Sequence, residues 1–205
     1  MVQVYRGLIL DFGGVITTDF YGALRDFSVR EGLGDDAVGH VLRRTAEGRT
    51  ALTGVEDGRL PQKEFEATLA RLLGVDAAGL LGRILADLQP CEEVLEMVAR
   101  ARRKGIATAV LSNSWGTGSY DPYAGYDLED RFDAVVISDQ VRLSKPDEEI
   151  YRFTSDKMGL PPSACVFVDD TAHNLPPAER LGMAGVLFED APTALAQIAH
   201  LLQIN

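Results

Sequence analysis

The sequence predicts an α/β fold in which helices cover both faces of a parallel sheet. Short apolar runs rich in β-branched residues recur along the chain, and most of them are separated by helical patterns. The predicted strands cover residues 4–10, 106–111, 132–137, 165–168 and 186–188. Continuously apolar strands joined by helices are typical of parallel sheets that are buried on both sides.

The long interval between the first two predicted strands contains helical patterns and no convincing strand. Helices are predicted there at residues 20–30, 36–47, 61–73 and 76–88, followed by a further helix at 91–104. The third is the best defined, because Pro61 stands in its first turn and Gly74 ends it. We therefore predict a Rossmann-like core formed by residues 1–15 and 89–205, with residues 16–88 inserted as a small helical cap.

Composition excludes several classes of function. The chain has 205 residues, 46% of them hydrophobic and 25% charged, as in ordinary globular proteins. Its net charge of −11 argues against nonspecific nucleic-acid binding, which requires basic residues. No stretch approaches the roughly 20 apolar residues of a membrane span, and no signal peptide is evident, so we expect a cytoplasmic protein. Cys91 and Cys165 are too few for a disulfide framework.

Polar residues follow the predicted strands where ligands bind in parallel α/β sheets, outside the carboxyl ends. In chain order they are a carboxylate, a hydroxyl with an amide, a lysine before a helix, and an acid pair: Asp11, Ser112-Asn113, Lys145 and Asp169-Asp170. Each is common on its own. Their order and placement together indicate a single site with a nucleophile, a cation and paired acids.

These motifs resemble, in the same order and over almost the whole chain, the four motifs of the haloacid dehalogenase (HAD) superfamily of hydrolases. The stretches 111–116, 145–151 and 168–175 look most like the branch that includes the phosphatase domain of soluble epoxide hydrolases. A small helical insertion after the first strand is also expected in that branch. The resemblance implies a hydrolase, and the acid pair is the pattern of its phosphatases.

For a phosphatase of this superfamily, the resemblance implies covalent catalysis. Asp11 would attack phosphorus to form an aspartyl-phosphate, which water then hydrolyses. Ser112, the amide of Asn113 and Lys145 would hold the phosphoryl oxygens and stabilise the transition state. The expected partner is a small-molecule phosphate ester.

The resemblance also implies a magnesium site. The Asp11 carboxylate, the Gly13 carbonyl and Asp170 would hold Mg²⁺, and Asp169 and Asn174 would support these ligands. Adjacent acids near a nucleophilic carboxylate require a hard divalent cation if an anionic substrate is to approach.

Gly13 is the departure from the superfamily pattern, because its phosphatases normally carry a second Asp two residues after the nucleophile. That Asp protonates the leaving oxygen and then activates water, and such help is worth roughly 100- to 10,000-fold. Its loss should impair alkyl phosphates most, whereas anomeric, aryl or acyl phosphates need less protonation. His173 is a candidate replacement, although a solvated loop histidine is the simpler interpretation. Asp19 is another nearby acid, which helix initiation explains equally well.

Two further groups of residues are candidates for substrate recognition. The irregular loop 116–127 carries Tyr120, Tyr123 and Tyr126, which either line a pocket or cover an edge of the core. The predicted cap carries several cations, which either select an anionic substrate or are solvated helix-face residues: Arg25, Arg30, Arg43, Arg44, Arg49 and Arg59.

Three functions stay open at this level. The first is a magnesium-dependent phosphatase of a small metabolite. The second is a 2-haloacid dehalogenase, which also lacks the second Asp but works without magnesium and differs at the acid pair. The third is a phosphate-ester-binding or regulatory protein with weak catalysis. The sequence identifies neither the substrate nor the cap residues that set specificity, and it is compatible with a monomer or a homodimer.

Overall fold

The computed structural model describes residues 4–204, and a five-stranded parallel sheet forms its centre. The strands are β1 (Gly7–Leu10), β2 (Ala107–Ser112), β3 (Ala134–Ile137), β4 (Cys165–Asp169) and β5 (Ala184–Leu187). Their order across the sheet is β3-β2-β1-β4-β5, and every neighbouring pair is parallel. The predicted α/β, Rossmann-like fold class is confirmed.

Helices connect and cover the strands. Five lie between β1 and β2: α1 (Phe20–Arg30), α2 (Ala37–Arg44), α3 (Ala46–Glu56), α4 (Gln62–Leu73) and α5 (Leu80–Ile84). The others are α6 (Glu92–Arg103), α7 (Leu128–Arg131), α8 (Ser138–Val141), α9 (Glu148–Lys157), α10 (Leu175–Arg180) and α11 (Ala191–Leu202). None of the helices within residues 4–204 is long and apolar enough to cross a bilayer.

Both faces of the sheet are buried, which explains why its strands are continuously apolar. Successive side chains of a strand point to opposite faces. Leu8 and Leu10 therefore enter a cluster with residues of α6 and α11, whereas Ile9 enters a second cluster with residues of α9 and α10. All three side chains are essentially inaccessible to solvent. The sheet is thus a rigid support for residues at its carboxyl edge.

Helices α1 to α5 form a separate hydrophobic cluster, which also includes Trp115 from the loop after β2. The chain leaves and re-enters the sheet region through two adjacent segments, where Thr18 N donates to Gln89 O at 2.8 Å and Cys91 N donates to Ile16 O at 2.8 Å. The predicted cap boundaries fall at these segments, and the division into core and cap stays a prediction.

Several predicted boundaries were wrong. The predicted helix 36–47 is two helices, because Thr45 is extended and its hydroxyl caps α3 by accepting from Gly48 N at 2.9 Å. Of the predicted helix 76–88, only α5 forms, and the left-handed backbone of Gly79 (φ 58°) breaks the segment before it. The first strand starts at Gly7 rather than residue 4, and α11 was not predicted.

Candidate active site

Three neighbouring strands bring the predicted chemistry to one edge of the sheet. Asp11 directly follows β1, Ser112 ends β2 and Asp169 ends β4. Since β1 lies between β2 and β4, and Leu10 is in register with both partner strands, the three positions meet at the carboxyl edge. The strand order, which the sequence alone did not give, is what makes them neighbours.

A buried lysine joins two of the acids. Lys145 Nζ lies 2.8 Å from Asp11 Oδ1 and 2.6 Å from Asp169 Oδ2. Both ion pairs are almost fully shielded from water. Asp170 is adjacent, and ligand oxygens from Asp11, Asp169 and Asp170 all lie within 4.8 Å of one another. The structure therefore brings together the predicted nucleophile, the predicted cation and both members of the acid pair.

Hydrogen bonds from Thr171 and Asn174 hold the carboxylates of the acid pair. Asn174 Nδ2 donates to both oxygens of Asp169, at 3.0 and 3.1 Å, and Thr171 N donates to Oδ1 at 2.8 Å. Thr171 Oγ1 donates to Asp170 Oδ1 at 3.1 Å and lies 3.0 Å from the Tyr21 hydroxyl. Asn174 thus contacts Asp169, as expected of a supporting residue.

The turn after β1 brings its backbone against the acid pair. Gly14 has φ of 80°, a conformation that side chains other than glycine rarely adopt. A Cβ atom there would lie 2.2 Å from Asp170 Oδ2. Gly13 has an ordinary φ of −71°, but a Cβ on it would lie 3.2 Å from the ring of Phe20. The Phe20 ring would therefore have to shift by a few tenths of an ångström to admit a side chain at position 13.

Asn113 and Lys145 are held together by a reciprocal pair of hydrogen bonds. Asn113 Nδ2 donates to Lys145 O at 2.9 Å, and Lys145 N donates to Asn113 Oδ1 at 2.9 Å. The Ser112 side chain does not line the main cavity, and its hydroxyl lies 2.9 Å from the Tyr123 hydroxyl. Its side chain borders a small adjoining cavity of about 50 Å³. Its role toward phosphate stays a prediction.

The acids near Lys145 are more numerous than the cation can balance. With Asp11, Asp169 and Asp170 ionised, Lys145 leaves the cluster with an excess of two negative charges. Burial, Asp169 and Asp170 together raise the pKa of Asp11 to about 8 against the opposing effect of Lys145. Burial and Asp169 also raise the pKa of Asp170 to about 6. An excess of two negative charges on clustered carboxylate oxygens fits a hard divalent cation such as Mg²⁺.

A cavity of about 500 Å³ opens over this cluster, a size typical of small-ligand sites. On one side lies what we call the core wall, formed by Asp11, Gly13, Asn113, Lys145, Asp170 and Asn174. A second part of the lining, the cap wall, is formed by Phe20, Tyr21, Leu52, Glu56 and Asp57 from α1, α3 and the residue after α3. Trp115 and His173 also line the cavity.

Besides the contact between the Tyr21 and Thr171 hydroxyls, the cap wall and α4 are attached to core loops at two further places. Ser144 Oγ, one residue before Lys145, donates to Asp57 Oδ1 at 2.7 Å. Gln62 of α4 makes four hydrogen bonds to the loop after β2. Nε2 donates at 2.7 Å to each of Gly116 O and Tyr120 O, and Oε1 accepts from Tyr120 N at 3.0 Å and Ser119 Oγ at 3.2 Å.

The candidate recognition groups fall mainly outside the cavity. None of the six cap arginines lines it, and four of them pair with surface or loop acids: Arg25 with Asp19, Arg30 with Asp87, Arg43 with Asp36 and Arg59 with Asp57. Asp19 also caps α1 by accepting from Gly22 N at 2.9 Å. Of the loop tyrosines, Tyr123 packs on Phe12 and borders the small adjoining cavity.

Sequence reasoning missed Glu56, the last residue of α3. Its carboxylate lines the cavity with no hydrogen bond or ion pair within residues 4–204. Burial raises its pKa to about 7, although Lys145 lowers it. The signal available in the sequence was weak, because an acid followed by Asp57 and Gly58 at a helix end is typical of a solvated turn.

A parallel α/β sheet with clustered carboxylates and a buried lysine at its carboxyl edge, covered by inserted helices, defines a hydrolase of the haloacid dehalogenase type. The family model for haloacid dehalogenase-like hydrolases matches residues 5–182, and the chain belongs to this family.

Relatives within the family differ in activity. The chain is 33% identical over 109 residues to bifunctional epoxide hydrolase 2 of Rattus norvegicus, a match that covers 51% of this chain and only 20% of that protein. It is 32% identical over 117 residues to (S)-2-haloacid dehalogenase of Pseudomonas sp. strain YL, covering 55% and 50%. It is 27% identical over 197 residues to D-ribitol-5-phosphate phosphatase of Bacteroides thetaiotaomicron, covering 86% and 88%.

Solved structures share the fold. A HAD family enzyme of Bacteroides thetaiotaomicron, in complex with magnesium and inorganic phosphate, superposes with a TM-score of 0.65 at 21% identity, covering 91% of this chain and 96% of that one. At this identity the likeness concerns the fold. The family thus includes members with phosphatase names and members with dehalogenase names, and the residues of the site have to distinguish the two.

Proposed function

We propose that the protein is a magnesium-dependent phosphatase that cleaves a small phosphorylated metabolite through an aspartyl-phosphate on Asp11. The observation that carries the proposal is the buried cluster in which Lys145 bridges Asp11 and Asp169, with Asp170 beside them, at the base of a cavity. A cytoplasmic location and a small-molecule phosphate ester as the partner belong to the same proposal.

Asp11 is oriented for attack by its own contacts. Oδ1 accepts from Phe12 N at 2.7 Å and from Lys145 Nζ at 2.8 Å. Oδ2 has no hydrogen-bond partner within the described chain and is the oxygen available to phosphorus. Attack forms the Oδ2–P bond and breaks the bond from phosphorus to the leaving oxygen, which takes up a proton. Water then attacks phosphorus, releases phosphate and regenerates the carboxylate.

Two positive charges would be available to bind a phosphoryl group: the Lys145 ammonium and a magnesium ion. Lys145 is held by Asn113 through its backbone and by two acids through its ammonium, so its charge is fixed next to the attacking oxygen. Asp11, Asp170 and the Gly13 carbonyl are the residues that would hold magnesium, with Asp169 and Asn174 in support. When bound, the ion would neutralise the acids and the phosphoryl oxygens.

The relatives are compatible with this proposal. The phosphatase from Bacteroides thetaiotaomicron matches this chain over most of both lengths, whereas the dehalogenase match covers about half of each chain. Dehalogenation is the second candidate, because Gly13 leaves no acid two residues after Asp11. The acid pair favours the phosphatase, since Asp169 and Asp170 can hold a divalent cation, which the displacement of halide from an organic acid does not require. Halide release from a 2-haloacid in the presence of a chelator would reverse this ranking.

Phosphate release from a panel of sugar, aryl, acyl and alkyl phosphates, with and without Mg²⁺, tests the proposal. We expect multiple turnovers with Mg²⁺ and a loss of at least about 1,000-fold in Asp11→Asn, because the nucleophile is removed. The control is Asp35→Asn, which changes an exposed acid outside the cavity. Undiminished hydrolysis by Asp11→Asn contradicts the nucleophile assignment. Ester binding without product contradicts the phosphatase and favours a binding protein.

A further inference from the structure

Glu56 is a polar group in the cavity that the proposed chemistry does not use. It ends α3 and contributes to the cap wall of the cavity that Asp11 and Lys145 also line. Its side chain is partly buried, and its carboxylate has no hydrogen bond or ion pair within the part of the chain that the structure describes. A carboxylate that loses its water when a ligand binds needs a new hydrogen-bond partner. A ligand that fills this cavity is therefore the available partner for Glu56.

The charges around Glu56 define what that partner carries. Of the described residues that line the cavity, the only lysine or arginine is Lys145, whose ammonium already pairs with Asp11 and Asp169. The other titratable groups that face the cavity are Tyr21, Asp57, Asp147, Asp170 and His173. Asp57 accepts from Ser144 and pairs with Arg59, which lies outside the cavity. A second anionic group on the substrate would meet carboxylates and no unpaired lysine or arginine.

The remaining surface suits an uncharged, hydroxyl-bearing group. Phe20, Tyr21 and Trp115 line the cavity beside Glu56, with Phe20 and Trp115 edge to face at 5.4 Å. Aromatic faces pack against the C–H groups of a polyol, and a carboxylate accepts hydrogen bonds from its hydroxyl groups. Burial raises the pKa of Glu56 to about 7, and Asp57 adds to the rise. Hydroxyl donors would stabilise the ionised carboxylate, whereas a further anion would destabilise it.

We propose that Glu56 is the residue that selects the leaving group: it accepts hydrogen bonds from a neutral polyhydroxylated monophosphate and rejects esters that carry a second anion. This inference rests on the proposed phosphatase function and assigns its substrate class. Glu56 contacts the substrate in this proposal and takes no part in phosphoryl transfer.

A matched pair of esters tests the inference. D-Glucitol 6-phosphate and D-gluconate 6-phosphate differ only in a terminal hydroxymethyl or carboxylate group. At pH 9, where Glu56 with its pKa of about 7 is ionised, we expect wild type to prefer the glucitol ester by about 10- to 100-fold in kcat/KM, the range set by like charges several ångströms apart at an intermediate dielectric. Glu56→Gln keeps the shape and removes the charge, so it should reduce this preference at least about 10-fold by improving kcat/KM for the gluconate ester.

The matched control is Glu47→Gln, the same substitution on the same helix. Glu47 pairs with Arg71 on the surface and does not line the cavity, so the preference should stay as in wild type. A merely structural role of Glu56 would change both esters alike and leave their ratio unaltered. An unaltered ratio in Glu56→Gln overturns the inference.

Binding separates this inference from the phosphatase proposal. Dissociation constants of the two esters are measured by calorimetry in Asp11→Asn and in the Asp11→Asn, Glu56→Gln double variant, so no turnover is required. A preference for the glucitol ester that falls at least about 10-fold in the double variant supports the inference even if wild type releases no phosphate. Equal preferences in the two variants overturn it, as does failure of the glucitol ester to bind.

Discussion

The core wall and the cap wall of the cavity differ in how their acids are partnered. Asp11, Asp169 and Asp170 on or behind the core wall each accept a hydrogen bond, and two of them pair with Lys145. On the cap wall Asp57 accepts from Ser144 and pairs with Arg59, whereas Glu56 has neither kind of partner within residues 4–204. The core wall is thus organised before a ligand arrives, whereas the cap wall depends on the ligand to complete it. Chemistry shared by a family is expected on the first, and substrate preference on the second.

The largest expected effect concerns the ion pairs of the core wall. Lys145→Met leaves Asp11 and Asp169 buried without their counter-ion, so the free energy of unfolding without Mg²⁺ should fall by about 3–5 kcal/mol. Added Mg²⁺ should recover part of this loss. Urea unfolding at neutral pH measures both quantities, and Lys63→Met, an exposed lysine of α4, is the control. A loss below about 1 kcal/mol would mean that the core wall is not held together electrostatically.

A second test concerns the cap wall and its dependence on pH. The folded-state pKa of Glu56 is raised from 4.5 to about 7, so ionising it costs stability as pH rises through that interval. Relative to wild type, Glu56→Gln should gain on the order of 2 kcal/mol between pH 4.5 and 7, with a plateau above. The difference should be small below pH 4.5. Denaturant unfolding across this range measures it, with Glu47→Gln expected to give a flat difference.

The smallest expected effect concerns Gly13, where the walls meet. An Asp at position 13 would supply the missing acid, but its Cβ would lie 3.2 Å from the ring of Phe20. Gly13→Asp alone should therefore help little, whereas Gly13→Asp with Phe20→Ala should raise kcat for an alkyl phosphate by about 10-fold. The expected gain in kcat is smaller than the roughly 100- to 10,000-fold effect of a well-positioned general acid, because the new carboxylate lacks supporting contacts. Phe20→Ala alone is the control, and equal gains for aryl and alkyl phosphates would argue against a missing acid.

The core wall could be predicted from sequence because its parts are local. Apolar runs predict the strands, and polar residues that follow them must lie at the carboxyl edge of a parallel sheet. The contact between Lys145 and the two acids could not be predicted from sequence. It depends on the strand order and on the loop held by Asn113.

The cap wall could not be predicted, because it depends on how helices pack. Gly48 and Gly54 lower the intrinsic helix propensity of α3. Gly48 is nevertheless suited to its place, since a Cβ there would lie 2.0 Å from Val41 O of α2. The position of Glu56 follows from this packing and from the contact of Asp57 with Ser144. No local pattern separates such an acid from a solvated one.

The four hydrogen bonds of Gln62 and the contact of Ser144 with Asp57 have a consequence for access. Parting the helices from both core loops would break five hydrogen bonds, each worth about 0.5–1.5 kcal/mol. Moving the helices away from Asp11 therefore costs free energy, and entry of a ligand without that movement is favoured.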